Sequence, residues 1–241
     1  EEDGYLHLNE NCQGDFDVFS TTYNIAWEDL TDNDENYSND GDHNDFIVKV
    51  TQSSDINTGE LKFVFEPLAR GGGYDHAFKF WLPGDPSDYT ISGDHATNLV
   101  AGNTAVTVYP DTHSAFTSND DFINTKCPGT NASGIVKTVT VDVSNASDFT
   151  YYLLNPFDAN LDVSPSGSGS DYDLTVGNLF PTSTYTINTV KLPNGLITKG
   201  DWPWVLDGND VRDVYDGPDY QTPSNSADSR LWKNSSCGSG S

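Results

Sequence analysis

Apolar and polar residues alternate over short stretches of this chain, and no long stretch shows the period of a capped helix. The clearest alternation lies in Glu60–Leu68, where Leu61, Phe63 and Phe65 fall on one face and Lys62, Val64 and Glu66 on the other. A period of two with one apolar face describes a strand that covers a core on one side only. Phe46–Thr51 has the same character, with Phe46, Val48 and Val50 separated by Ile47 and Lys49. Further strands are predicted at His76–Leu82, Thr104–Tyr109, Ile135–Val143, Phe149–Leu154, Tyr172–Val176 and Tyr185–Val190. Clusters of Gly, Asn, Asp, Ser and Pro separate them, as the turns of an antiparallel sheet require. The expected fold is all-β: an antiparallel, jelly-roll-like β-sandwich with long loops and little helix.

The predicted organisation is an acidic lead-in over 1–21, one sandwich domain over 22–220, and a polar tail over 221–241 that ends SSCGSGS. Asp162–Asp171 (DVSPSGSGSD) resembles a linker, but strand-like alternation resumes at once, so it reads as a long surface loop within the domain. Aromatic residues make up 12% of the 241-residue chain, enough for a real core without staples.

One polar loop carries chemistry. Asp40, Asp42 and Asn44 form a D-x-D-x-N run closed by Asp45 and followed directly by the Phe46 strand. Alternate side chains of a looping backbone can converge on one ion, and Ca²⁺ takes about 6–8 oxygens, whereas Mg²⁺ keeps more of its waters. Glu28 and Asp29 lie just upstream and join the expected ligand set of Asp40, Asp42, Asn44 and Asp45. Asp32, Asp34 and Asn36 repeat the spacing as a candidate second metal site. Neither run is an EF-hand, because from Asp32 the sixth and twelfth positions are Tyr37 and His43 instead of Gly and Glu. The bland alternative is a solvated acidic loop.

The net charge of −26 disfavours nucleic acid and anionic membranes, both of which need a basic face, and makes cations the natural partners. No apolar run is long enough to span a membrane. The chain has no Met, so the expectation is an exported protein whose signal peptide has been removed. Sequons at Asn36, Asn131, Asn145 and Asn234 are candidate glycosylation sites. Three cysteines are too dispersed for a zinc motif and leave one over in an exported chain. A Cys12–Cys127 disulfide is expected, because Cys237 lies in the polar tail; Cys237 is then either a free thiol or a bond to a neighbouring subunit.

No HExxH, nucleophile elbow or P-loop is present, and 37 acidic residues make any one carboxylate pair uninformative, so no enzyme is expected. Trp81, Trp202, Trp204 and Trp232 leave two readings open, either core plugs or platforms that stack on sugar rings.

Several blocks, in order along residues 22–220, resemble the LruC-type domain of bacterial surface proteins with its "FEDL…DxDYNDLV" signature. They are Trp27-Glu28-Asp29-Leu30, then Asp40-Gly41-Asp42-His43-Asn44-Asp45-Phe46-Ile47-Val48, then the glycine-containing segment from Ala69 to Gly84, then Asn155-Pro156-Phe157 and Pro203-Trp204-Val205-Leu206. His43 stands where the family usually has an aromatic. Asp173-Leu174-Thr175-Val176 only echoes the family's EIHLPG-like segment. The resemblance implies an exported β-sandwich with a calcium loop and no established catalytic activity. Together these features lead to the expectation of a calcium-stabilised extracellular structural or adhesive module that self-associates into a filament-like assembly. The alternative is a carbohydrate-binding module.

Overall fold

The computed structural model describes residues 18–29, 41–82, 87, 89–95, 105–145, 158–164, 172–176, 184–187, 190–215 and 220–238. The expected strand at 149–154, the Asn155-Pro156-Phe157 block, Cys12, Asp32, Asp34, Asn36 and Asp40 lie outside the described residues. In chain order the strands are β1 (Val18–Trp27), β2 (Phe46–Asp55), β3 (Glu60–Ala69), β4 (Asp75–Trp81), β5 (Thr90–Gly93) and β6 (Ala105–Tyr109), then β7 (Lys137–Asp142), β8 (Asp158–Ser164), β9 (Tyr172–Val176), β10 (Thr184–Ile187), β11 (Val190–Pro193) and β12 (Gly195–Lys199). Six form one sheet in the order β12-β1-β2-β3-β7-β5, four form a second in the order β6-β4-β8-β9, and β10 and β11 make a hairpin. Every pairing between these described strands is antiparallel.

Alternation places the core. Ile25, Trp27, Phe46, Val48, Val50, Leu61, Phe63 and Phe65 from the first sheet meet Phe78, Phe80, Val106 and Val108 from the second. Phe63 and Phe80 have ring centroids 5.0 Å apart, and Phe65 and Phe78 meet edge-on at 5.6 Å. Each such side chain contributes about 1.5–3 kcal/mol by burial. The surface ion pair between Lys49 and Glu66 on the outer face is worth only about 0–1 kcal/mol, so the apolar face sets the register. The chain is an all-β sandwich.

The opposite face of the first sheet is also covered at one end. Ala26, Ile47 and Ala69 turn outward, and over them pack Leu192, Leu196, Trp202, Val205, Val211, Val214, Tyr215 and Leu231. Trp202 is core: its ring stacks on Tyr215 at 5.7 Å, and its Nε1–H donates to the Tyr220 carbonyl at 2.7 Å.

Five expectations change. The first strand begins at Val18, inside the expected lead-in, and β8 reaches Ser164, inside the expected loop. Of the expected strand Tyr185–Val190, Tyr185 to Ile187 belong to β10 whereas Val190 begins β11, its antiparallel partner. The polar segment after Gln221 belongs to the folded body through Ser235, because Leu231 is fully buried, pairs with Val205, and is flanked by a Trp232 N–H to Trp204 carbonyl bond of 2.9 Å. That anchoring corrects the cysteine pairing. Cys127 is bonded to Cys237 with Cα atoms 5.7 Å apart, so neither the Cys12–Cys127 bridge nor an intermolecular Cys237 is found.

Candidate metal centre

Antiparallel pairing builds the site. Trp27, the last residue of β1, lies opposite Phe46, the first of β2, so the residues just beyond each strand face one another. The Asp45 N–H donates to the Trp27 carbonyl at 3.1 Å, and the Asp29 N–H donates to Asp45 Oδ2 at 2.6 Å. Gly41 (φ 69°) and His43 (φ 52°) take left-handed conformations that turn the approach loop sharply. His43 pays for that backbone with burial: it packs inward, fully enclosed, and its Nε2–H donates to the Pro193 carbonyl at 2.8 Å. Burial pushes its imidazole down and keeps it neutral.

Glu28, Asp42 and Asp45 are all buried and bring one carboxylate oxygen each within 4.8 Å of the others. Asp42 is fixed at both oxygens, Oδ1 accepting the Asn44 N–H at 3.0 Å and Oδ2 the Gly208 N–H at 2.9 Å. Asn44 donates Nδ2–H to the Val205 carbonyl at 3.0 Å, which turns Oδ1 the other way, and that buried oxygen accepts no hydrogen bond. An amide oxygen left so is costly unless something positive meets it.

Asp29 stands at the edge of this cluster. Its Oδ2 accepts from His76 Nε2 at 2.8 Å. Despite that carboxylate, burial and the nearby Arg70 push the His76 imidazole down to about 3, so the ring is neutral and Nε2 carries the proton. A chain of donors follows: Arg70 Nε–H to Thr112 Oγ1 at 3.2 Å, Thr112 hydroxyl to His76 Nδ1 at 3.3 Å, His76 Nε2–H to Asp29. Arg70 is the one lysine or arginine that is fully buried among the described residues, and its other nitrogens donate to the Asp121 and Tyr74 carbonyls. Burial pushes its guanidinium down, while Asp121, Asp111, Asp29 and Asp45 pull it back up.

The floor is Gly71 and Gly72. A Cβ on Gly71 would lie 1.8 Å from Asn44 Oδ1 and 2.8 Å from the Asn44 carbonyl oxygen, and one on Gly72 would lie 2.7 Å from Asp29 Oδ2 and 3.1 Å from Asp45 Oδ1. Gly71→Ala is therefore expected to cost about 1–3 kcal/mol in urea melts by displacing Asn44. Gly73→Ala, whose Cβ meets nothing within 4 Å, serves as the neutral control. Equal melts for the two variants would rule out a packed oxygen floor.

Of the expected ligands, the structure thus gathers Glu28, Asp42 and Asp45, with Asn44 and Asp29 against the adjoining glycines. Sequence reasoning missed Arg70, His76, Thr112 and the Gly208 N–H as parts of the site; the run of three glycines after Arg70 was the available signal. The sequons at Asn131, Asn145 and Asn234 lie on the surface. Asn131 Nδ2–H donates to the Cys237 carbonyl at 3.0 Å, and Asn234 donates to the Ser226 and Asp228 carbonyls, both at 2.8 Å.

No family model matches the chain, and no curated protein matches it. Among solved structures, a "putative lipoprotein" from Bacteroides ovatus is similar with a TM-score of 0.52 over 82% of this chain and 69% of that one. At 12% identity the likeness shows the fold alone, an all-β sandwich shared without shared sequence.

Proposed function

We propose that this chain is a non-catalytic, calcium-stabilised β-sandwich module that works outside the cell as a structural or adhesive unit. The observation that carries the reading is the buried meeting of Glu28, Asp42 and Asp45 beside an Asn44 oxygen that accepts no hydrogen bond. Hard oxygen donors, three of them carboxylates, suit Ca²⁺, and neutral His43 and His76 add no positive charge. A bound ion would tie the end of β1 to the start of β2 and, through Asp42 and Gly208, to the C-terminal segment. The LruC-type blocks and the acidic composition support an exported module. The likeness to a protein described as a lipoprotein supports attachment at a cell surface. Filament assembly would need a contact other than Cys237 and the tail, since both are engaged within their own chain.

The test is calorimetric titration of EGTA-stripped protein. Calcium should bind with a Kd between about 10⁻⁶ and 10⁻³ M, and magnesium far more weakly. Asp42→Ala, which removes one carboxylate and frees the Gly208 N–H, should weaken calcium binding at least about tenfold. Absence of calcium binding by the intact protein, or indifference to Asp42→Ala, removes the reading.

A further inference from the structure

A groove of about 570 Å³ is walled by the end of β3, the loop from Thr117 to Gly134, and the segment carrying Trp204 and Trp232. We propose that this groove binds an uncharged saccharide. Its volume falls within the range of about 300–1,000 Å³ usual for small-molecule sites. Its lining mixes two kinds of surface. Half-buried Trp204 supplies aromatic wall, while Thr117, Asn131 and Ser133 are exposed and supply hydroxyl and amide groups along the rim. A pyranose ring has the matching division, with C–H groups on its faces and hydroxyls around its edge. Wholly apolar ligands would leave the rim groups desolvated.

Charge narrows the class. Among the described residues no lysine or arginine lines the groove, Glu66 stands in it, and the chain carries a net charge of −26, so phosphorylated or acidic sugars are repelled. The walls are also built in advance. Trp204 Nε1–H donates to the Asn124 carbonyl at 2.8 Å, and Asn124 Nδ2 is itself held by the Leu68 and Ala132 carbonyls at 2.8 and 2.9 Å. The Cys127–Cys237 bond clamps the segment bearing Trp232 to the opposite loop. A site held this way loses little freedom on binding. Of the four tryptophans that sequence alone left undecided, Trp202 belongs to the core, Trp81 lies outside the groove and Trp232 is buried, so the half-buried Trp204 takes the sugar-facing role. The metal centre plays no part in this assignment.

Native electrophoresis through gels containing a soluble neutral polysaccharide tests it, with xyloglucan, galactomannan, xylan and amylopectin each used separately. Alginate serves as the acidic comparison and a proline-rich peptide as the protein-like one. At least one neutral polysaccharide should retard the protein, and alginate should not. Trp204→Ala should weaken that retardation about tenfold, as loss of one stacking surface does. Should Trp204→Ala disturb the circular dichroism spectrum, Thr117→Ala and Ser133→Ala, both at exposed positions, are each expected to weaken binding severalfold while leaving the melt unchanged. Retardation by none of the four neutral polysaccharides, retardation that all three variants retain in full, or binding of the peptide instead overturns the proposal.

Discussion

Excess EGTA is expected to lower the melting temperature of the calcium-loaded protein by roughly 5–16 °C. At free calcium 100 to 1,000 times Kd, binding to the folded state alone stabilises it by about 2.7–4.1 kcal/mol. For a chain of this size each kcal/mol moves the midpoint by about 2–4 °C. The effect has a specific source in the site: without the ion, Glu28, Asp42 and Asp45 hold like charges within 4.8 Å of one another in a buried setting. Magnesium at the same concentration should restore little of the loss, because it holds its waters. Asp42→Ala, binding calcium about tenfold more weakly, should lose about 1.4 kcal/mol of that stabilisation and show a correspondingly smaller rise in midpoint with calcium. A wild-type midpoint indifferent to EGTA would count against the metal centre.

Arg70→Met is expected to cost about 3–5 kcal/mol, the loss typical of removing one partner from a buried charge cluster. Three acceptors lose their donor at once: Thr112 Oγ1, the Asp121 carbonyl and the Tyr74 carbonyl. Asp29 and Asp45 also lose the guanidinium that faces them. Arg70→Lys keeps the charge but not the three-way fork, and should fall between wild type and Arg70→Met. The two variants further separate a structural from an electrostatic role. With the internal cation gone, the carboxylates attract calcium more strongly, so the calcium-dependent rise in melting temperature should be larger in Arg70→Met than in wild type. A variant within about 1 kcal/mol of wild type in denaturant melts would show that Arg70 is not the counter-charge of this cluster.

The parts of the fold that the sequence announced are those where one face is apolar and the other is not. Leu61, Phe63 and Phe65 mark β3 within a residue of its observed ends because burial on one side imposes a period of two. β8 carries the same period, with Ala159, Leu161 and Val163 between Asp158, Asn160, Asp162 and Ser164, but its second half opens the Ser-, Pro- and Gly-rich segment read as a loop, and composition there outweighed the alternation. The C-terminal segment misled for a related reason. Two apolar residues, Leu231 and Trp232, anchor a stretch whose average composition is that of a tail, and an average hides them. At the site, Asp42, Asn44 and Asp45 were legible because their spacing lies within one loop. Arg70, Thr112 and His76 were not, because what unites them is the approach of β3, β4 and the loop after β6, and that relation exists only in three dimensions.

The edge of the larger sheet joins the first of the described strands to the last, with Tyr23 to Trp27 of β1 pairing with Gly195 to Lys199 of β12. During synthesis, therefore, β1, β2 and β3 emerge as a meander whose outward residues Ala26, Ile47 and Ala69 have no cover until the segment from Leu192 to Leu231 has been made. The Gly208 N–H that fixes Asp42 arrives just as late. Folding of this domain accordingly finishes only after most of the polypeptide is available, and contacts this distant in sequence place it among slow-folding sandwiches, on the order of milliseconds to seconds. Until then the bare edge of β1 is a strand template open to other chains. On the proposed extracellular role, export would favour a chain kept unfolded until the segment from Leu192 to Leu231 has crossed the membrane.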